Sequence, residues 1–346
     1  MYVGTQVKAR SDTDFEQWAQ LGVVNVSSDP PGHPRTWTKD DLARHKEKLD
    51  SYGITLDMVQ LPVSCMLPDD EFNSPNIMLG KSPERDREIE VIQNIIRWCG
   101  EVEIPSVRYN LYIIGIPRSE REEGRGGSSN DTFRWAKMDQ SAPPTIAGVV
   151  SVDENWERID YFLEHIVPAA ESAKVRMACH PHDPYTPDGY MGVTRVLGTV
   201  DGLKKFVQMR ENPFHGLNFC QGTVTEMLED PGAEIADVIR WFGSREKIFN
   251  VHFRNIRGHR LDFMESFPDE GSIDFSEIIK VYQDVGYKYM LMPDHVPWIS
   301  GEDRWDRDTG RPVSQGTAFA FCYGYISALL QSIGEPRKQP WVIKGP

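Results

Sequence analysis

The sequence predicts a (β/α)8 barrel in the α/β class, and three observations support this fold. Short runs of β-branched and other apolar residues alternate with longer amphipathic runs along most of the chain, which indicates strands followed by helices. The alternation yields eight strands and eight helices in 346 residues, a length that suits one closed barrel. The first strand is not followed by the glycine-rich turn of a dinucleotide-binding fold, which disfavours an open doubly wound sheet.

The N-terminal half of the chain contains the first four strands. They are predicted at 3–7, 23–26, 54–60 and 106–113. The intervening helices are predicted at 13–21, 38–53 and 82–99. Thr38 is expected to cap the second helix, because its hydroxyl can accept a hydrogen bond from a free backbone N–H of the first turn.

A polar, glycine- and serine-rich stretch at about 116–150 interrupts this pattern. It has too few apolar residues for a core of its own, so we interpret it as an insertion or mobile loop within a single barrel domain that spans residues 1–346. Strands then follow at 175–180, 217–221, 248–255 and 288–295. Helices are predicted at 152–173, 199–210, 233–243, 274–286 and 318–333.

The charge and composition of the chain exclude some classes of partner. With 38 basic and 52 acidic residues the net charge is −14, which argues against nucleic acid or an anionic membrane as the main partner. An anionic small molecule stays possible, because a metal ion or a few local cations can outweigh the overall field. No apolar run is long enough to span a membrane, and five cysteines without a CxxC motif or a secretory leader predict reduced thiols in the cytoplasm.

Four consecutive predicted strands end in residues that can bind a metal ion. These are His180, Cys220, His252 and Asp294, separated by 40, 32 and 42 residues, about one strand–helix unit each. Because the carboxyl ends of the strands form one rim of such a barrel, this spacing places the four side chains next to each other. Any one of them alone would more often be a packed or hydrogen-bonded residue, but their conjunction favours a metal site.

The donor set also predicts which metals would bind. Two imidazoles, a thiolate and a carboxylate suit Mn²⁺, Fe²⁺, Co²⁺ or Zn²⁺ better than Mg²⁺ or Ca²⁺, which prefer oxygen ligands. A catalytic metal needs an open position for substrate, so four protein ligands favour Mn²⁺ or Fe²⁺ over Zn²⁺ or Co²⁺.

Further polar residues are expected near the same rim. His295 is a candidate general acid or base. Alternatively, it supports the metal ligands without contacting the metal, or lies on the surface. Arg254, two residues after His252, could grip a substrate carboxylate or form a salt bridge that holds the rim. His182 and Tyr185 are expected to line the mouth, with Asn110 of the fourth strand as a weaker substrate-binding candidate.

The same stretches resemble the mannonate dehydratase family. PAAESAKVRMACHPHDP is similar to the segment around the family's HPDDPP motif, and LNFCQGT, VHFRNIRG and MPDH are similar to its CTGS, HLR and RPDH strands. The resemblance is clearest over about 160–300. It implies a xylose-isomerase-like TIM barrel and a lyase of carbohydrate metabolism that uses Mn²⁺ or Fe²⁺ to remove water from D-mannonate, giving 2-keto-3-deoxy-D-gluconate. It also favours a homo-oligomer.

Transferred by motif, the resemblance assigns the four metal ligands already chosen by spacing. It makes His295 the proton-transfer histidine and matches Arg254 to the arginine of the HLR strand. The chain departs from the family pattern around the substrate. The departures are Met292 for the arginine of RPDH, Val296–Pro297 for a Gly-His pair, His182 and Tyr185 within HPHDPY, Phe263–Ser266 for FHEA, and Thr317 for a tyrosine.

These observations predict a metal-dependent sugar-acid dehydratase, a hydro-lyase that acts on D-mannonate or a related aldonate. One alternative is a metal-dependent sugar isomerase or epimerase on the same barrel. The other is a barrel that binds a metabolite without turnover, which the altered substrate-binding residues leave open.

Overall fold

The computed structural model describes residues 1–64, 74–300, 304–305, 312–313 and 316–335. Its strands in chain order are β1 (Tyr2–Thr5), β2 (Asn25–Ser27), β3 (Thr55–Gln60), β4 (Ser106–Asn110), β5 (Ser119–Glu123), β6 (Ser129–Arg134), β7 (Arg176–His180), β8 (His215–Cys220), β9 (Ile248–His252), β10 (Asn255–His259), β11 (Asp262–Ser266), β12 (Met290–Met292), β13 (Arg304–Trp305) and β14 (Pro312–Val313). Its α-helices are α1 (Asp12–Gln20), α2 (Lys39–Ser51), α3 (Pro75–Leu79), α4 (Glu84–Glu101), α5 (Val152–Ala173), α6 (Val200–Gln208), α7 (Gln221–Thr225), α8 (Pro231–Gly243), α9 (Phe275–Asp284) and α10 (Gly316–Ser332).

Eight parallel strands close into the predicted barrel. Their order around it is β1-β12-β9-β8-β7-β4-β3-β2. The eight strands and eight long helices of the sequence prediction all occur, with ends shifted by a few residues. Parallel closure brings the carboxyl ends of all eight strands to one rim, where side chains from distant parts of the chain can meet.

The main core lies between the barrel and its surrounding helices. In α5 the residues Ile159, Phe162 and Ile166 recur at helical spacing and are fully buried against the strands. The ring of Tyr109 on β4 lies 5.6 Å from that of Phe162, so this tyrosine faces outward from the barrel. Because side chains alternate along a strand, the residues on either side of Tyr109 face the barrel interior.

Much of the polar stretch at 116–150 forms strands of a second sheet, which favours an insertion over a mobile loop. Strands β5 and β6 pair with β10 and β11 in a four-stranded antiparallel sheet of order β10-β11-β6-β5. Phe133, Ile256 and Phe263 form a small apolar cluster on this sheet. The segment can form an apolar cluster only together with residues 255–266, which lie far away in sequence.

The same sheet explains why the predicted strand at 248–255 is divided in two. Strand β9 ends at His252, Phe253 and Arg254 have irregular backbone, and β10 begins at Asn255. The chain therefore leaves the barrel immediately after His252. None of the helices in the described ranges is both long and apolar enough to cross a membrane.

Candidate metal centre

Four side chains converge at the rim, from neighbouring strands. His180, Cys220 and His252 are the last residues of β7, β8 and β9, and Asp294 follows β12 by two residues. One potential ligand atom from each lies within 4.8 Å of the others, and all four residues are buried. The β8–β9 register pairs Cys220 with His252, which holds these two ligands side by side.

The ring of His180 is oriented by its Nδ1 atom. This atom lies 2.7 Å from the carbonyl oxygen of Pro181 and 2.7 Å from the hydroxyl of Tyr112. Donation from Nδ1 to the carbonyl leaves Nε2 as the nitrogen that faces the cluster. Burial lowers the pKa of His180, which favours the neutral imidazole that a metal requires.

His252 has the opposite orientation. Its Nε2 lies 3.1 Å from the side-chain amide of Asn218, which in turn accepts a hydrogen bond of 2.7 Å from Asn250. Its Nδ1 is buried without a hydrogen-bond partner among the described residues and lies 3.4 Å from Asp294 Oδ2. Nδ1 faces Asp294 and is therefore the nitrogen expected to bind a metal, with the ring proton on Nε2.

Donors surround the sulfur of Cys220. The backbone N–H and the hydroxyl of Thr223 donate to Sγ at 3.4 and 3.1 Å, and Arg254 Nη2 lies 3.6 Å away. These donors hold the sulfur in place at the rim, and a cysteine that binds a metal does so as its thiolate.

Asp294 is held in place by a glutamine of the first strand–helix loop. Gln6 Nε2 donates to Asp294 Oδ1 at 2.8 Å, which leaves Oδ2 toward the cluster. Burial alone would raise the pKa of Asp294, but the charge of His295 and the contact with His252 hold it well below its usual range. The carboxylate is therefore ionised, as a ligand must be, and the donor set with its unpartnered nitrogen fits a divalent transition metal.

Arg254 lies next to Cys220 and forms ion pairs with buried carboxylates. Its side chain is 1% exposed. Nη1 donates to Glu265 Oε1 at 2.6 Å, and Nη2 donates to Asp183 Oδ2 at 2.9 Å and Thr223 Oγ1 at 3.1 Å. Glu226 Oε1 lies 3.0 Å from Nη2. Of the two roles considered for Arg254, this geometry favours the salt bridge over contact with a substrate.

A second, partly buried arginine extends this ion-pair network, and the sequence reasoning missed it. Arg118 Nη2 lies 2.6 Å from Asp183 Oδ1 and 2.7 Å from Glu265 Oε1. Burial and the charge of Asp183 raise the pKa of Glu226 well above its usual value. Arg118 precedes β5 and Glu265 lies in β11, so the four-stranded antiparallel sheet, here called the accessory sheet, is connected to the metal centre through Arg254. The long-range pairing of β6 with β11 brings Arg118 and Glu265 to the site, and only knowledge of that pairing could have identified them.

His295 lies at the mouth, next to Asp294. Its backbone has a left-handed φ of 46°, and its side chain is 34% exposed. Nδ1 lies 3.0 Å from Glu265 Oε1 and 2.6 Å from Arg254 Nη1. Burial would lower the pKa of His295, but Asp294 and Glu265 outweigh it and raise this pKa to about 10.

His182 differs from the sequence expectation. It is buried, Nε2 lies 3.1 Å from the carbonyl oxygen of Leu111, and Nδ1 accepts a hydrogen bond of 3.3 Å from Leu197 N. Burial lowers the pKa of His182 to about 3, so the ring is neutral. Both nitrogens are occupied by the backbone, which leaves no polar atom of the ring for a substrate.

The two remaining substrate-binding candidates are half-buried. Tyr185 follows β7, and the guanidinium of Arg260 lies 5.1 Å from its ring centre. Asn110 ends β4, where the strand register pairs it with His180. Asn110 therefore lies next to the metal centre, whereas Tyr185 lies beside an arginine of the β10–β11 turn.

Comparisons with known proteins agree with this arrangement. A family model described as D-mannonate dehydratase (UxuA) matches residues 145–338. The mannonate dehydratase of Endomicrobium trichonymphae is 29% identical over 320 residues, which cover 82% of each chain. Mannonate dehydratase 2 of Halalkalibacterium halodurans is 28% identical over 295 residues, covering 77% of this chain and 81% of the relative.

Solved structures show the same fold. The mannonate dehydratase of Streptococcus suis serotype 2 superimposes with a TM-score of 0.81 at 23% identity and covers 100% of this chain and 98% of its own. A xylose isomerase domain protein of Planctomyces limnophilus superimposes with a TM-score of 0.60 at 14% identity, over 96% and 98% of the two chains. These likenesses confirm a xylose-isomerase-like TIM barrel.

Proposed function

The chain belongs to the D-mannonate dehydratase (UxuA) family, whose model matches more than half of it, and we propose that it removes water from D-mannonate or a related aldonate to give a 2-keto-3-deoxy acid. As a member of this family it is a hydro-lyase. The observation that carries the proposal is the convergence of four buried ligand atoms within 4.8 Å of one another, from four separate strand ends.

We assign His180 Nε2, Cys220 Sγ, His252 Nδ1 and Asp294 Oδ2 as the ligands of one divalent cation. Mn²⁺ or Fe²⁺ fits this set best, because either can accept the substrate beyond four protein ligands. When bound, such an ion supplies electrostatic stabilisation for the negative charge that develops next to the substrate carboxylate.

Protein side chains carry out the proton transfers that the dehydration requires. Dehydration breaks the C–H bond α to the carboxylate and the C–O bond of the β-hydroxyl, which leaves as water after gaining a proton. The resulting enol becomes the 2-keto group. We assign proton transfer to His295, which lies beside Asp294, is partly exposed to the mouth and lies 3.0 Å from Glu265. Arg254 acts through its contacts with Cys220 and Glu265.

The location and assembly of the enzyme are also part of the proposal. A cytoplasmic enzyme is supported by the buried, free thiols of Cys99, Cys179, Cys220 and Cys322. A homo-oligomer is proposed from the family resemblance, and light scattering of the purified protein measures the assembly directly.

The test of function is a product assay with the Mn²⁺- or Fe²⁺-loaded protein on a panel of aldonates. The proposal expects a 2-keto-3-deoxy acid, one water lighter than its substrate. A product of unchanged mass would indicate an isomerase or epimerase instead. Binding without any product across the panel would indicate a metabolite-binding barrel. Metal analysis of the same samples establishes that the centre was loaded in every assay.

A further inference from the structure

Arg108 is an arginine inside the barrel mouth that the proposed metal centre and its ion pairs do not use. It lies on β4 between Val107 and Tyr109, which are both buried in the core outside the barrel. Because side chains alternate, Arg108 faces inward, on the same side of the strand as Asn110. The strand register pairs Arg108 with Ala178, two residues before the candidate ligand His180.

The guanidinium of Arg108 is held by a hydrogen bond but has no ion-pair partner among the residues that the structure describes. Its Nε donates to Ser27 Oγ at 2.9 Å, at the end of β2. Asp29 and Asp294 are the carboxylates whose charges act on it, yet within the described ranges no carboxylate comes close enough to form a salt bridge. A guanidinium that is fixed by one hydrogen bond from Nε, and whose terminal nitrogens have no carboxylate partner among the described residues, is suited to bind an anion.

Arg108 lines a cavity that adjoins the metal centre. The cavity has a volume of about 930 Å³ and is lined in part by Gln6, Lys8, Ser27 and Asp29. Gln6 forms part of this wall and also donates to Asp294 Oδ1 at 2.8 Å, so the cavity begins directly beside a candidate ligand. Its volume exceeds the few hundred Å³ that are the lower end for small-molecule sites, ample for a six-carbon acid.

Arg108 adds a positive charge beside a centre whose own ligands would neutralise the ion. The thiolate of Cys220 and the carboxylate of Asp294 together cancel the charge of a divalent ion, so the centre itself has no net charge to attract an acid. Arg254 and Arg118 are committed to Asp183 and Glu265. Arg108 is therefore an inward-facing arginine near the metal centre that these carboxylates leave available.

We propose that Arg108 binds the carboxylate of the sugar acid in the cavity beside the metal centre and so orients the substrate. This inference rests on the proposed function and names a residue that selects for an acidic substrate. Arg108 contributes to substrate binding. The negative charge of the substrate carboxylate, which it neutralises, is present in the bound substrate and increases as the α-proton leaves.

The test measures binding to the Mn²⁺-loaded protein by calorimetry. The ligands are the 3-deoxy analogue of D-mannonate, which keeps the carboxylate but lacks the departing hydroxyl, and the corresponding uncharged 3-deoxyalditol. The variants are Arg108→Gln and Arg108→Lys. Arg97→Gln is the matched control, because Arg97 is an exposed arginine of α4 that does not line the cavity. Thermal melting and metal analysis establish that each variant is folded and loaded.

We expect Arg108→Gln to weaken binding of the acid on the order of 10- to 100-fold, the usual range for a hydrogen bond to a charged group, with alditol binding unchanged. Arg108→Lys should retain part of the affinity, and Arg97→Gln should retain all of it. Equal losses for acid and alditol, an unchanged affinity of Arg108→Gln for the acid, or no binding of the acid by the unmodified protein would each overturn the proposal. Turnover is measured separately, so a protein that binds the acid through Arg108 but forms no product would contradict only the proposed function.

Discussion

Oε1 of Glu265 lies 3.0 Å from Nδ1 of His295, although the two residues belong to different sheets. Glu265 is in the accessory sheet, whereas His295 follows a barrel strand. Burial alone would raise the pKa of Glu265, yet the neighbouring cations Arg254 and His295 outweigh burial and lower this pKa to about 2. An ionised carboxylate thus orients the imidazole that we assign to proton transfer, and the accessory sheet contributes directly to the site.

Replacing Glu265 with Gln tests this contact. The amide keeps the size of the side chain but loses the negative charge that orients His295, so we expect kcat to fall on the order of 100-fold, the scale of general acid–base contributions. KM and metal content should change little, because Glu265 contacts neither the cavity lining nor a candidate ligand. Glu123→Gln, an exposed position on β5 of the same sheet, is the control and should be fully active. Equal activity of the two variants would show that the contact does not position the histidine.

Replacing Cys220 with Ser tests the thiolate ligand. A hydroxyl is a poor ligand for the borderline metals favoured here, so we expect metal affinity to fall by more than the roughly 10- to 100-fold typical of outer-shell changes, with loss of turnover. Metal analysis after dialysis measures the first effect. Cys179→Ala is the control, because Cys179 is buried one residue before His180 and packs in the main core. If the Cys220 variant retains its metal, the ligand assignment is incorrect.

The amide behind His252 gives a subtler test of the same centre. Asn218 lies 3.1 Å from Nε2 of His252 and is itself held by Asn250. We expect Asn218→Ala to lower metal affinity about 10- to 100-fold, because the imidazole loses the group that fixes its orientation. Titration with a competing chelator measures the affinity. The fold should survive, and an unchanged affinity would mean that the barrel alone orients the ring.

The barrel and the convergence of the four candidate ligands could be predicted from the sequence because both follow a periodic pattern. Strand and helix alternate at a regular interval, and the four candidate ligands recur at that interval, so spacing alone places them together. The likeness of HPHDP and MPDH to known motifs selects the same residues. Each of these signals is local in the chain or repeats at a fixed distance.

The rest of the site depends on contacts that have no such pattern. Residues 119–134 and 255–266 pair across more than a hundred positions, so Glu265 and Arg118 could not be placed beside Arg254. Arg254 was expected on a continuing strand, but β9 ends at His252 and the side chain turns into an ion-pair network. Arg108 is a single polar residue between core positions, and only its orientation in the barrel and its unpaired guanidinium indicate a role.

Acid stability gives a final prediction, at a histidine remote from the metal centre. His215 begins β8 and is fully buried, with Nε2 3.0 Å from the carbonyl oxygen of Phe206. Burial lowers the pKa of His215 to about 4, and the charge of Lys247 adds to this effect. The unfolded chain binds a proton at about pH 6.5, so stability is fully present above that pH and is lost as pH falls from about 6.5 toward 4. The His215 contribution is about 2 kcal/mol between pH 7.5 and pH 5.

Urea unfolding at these two pH values, with His215→Gln beside the unmodified protein, isolates that contribution. Other titrating groups are common to both proteins and cancel in the difference. The glutamine variant should be less stable at pH 7.5, because its amide fills the buried site less well, but should lose about 2 kcal/mol less on acidification. His259→Gln, at an exposed position on β10, should show the full acid loss. If His215→Gln loses as much stability as the unmodified protein, His215 is protonated in the folded state at pH 5 and its burial does not govern acid unfolding.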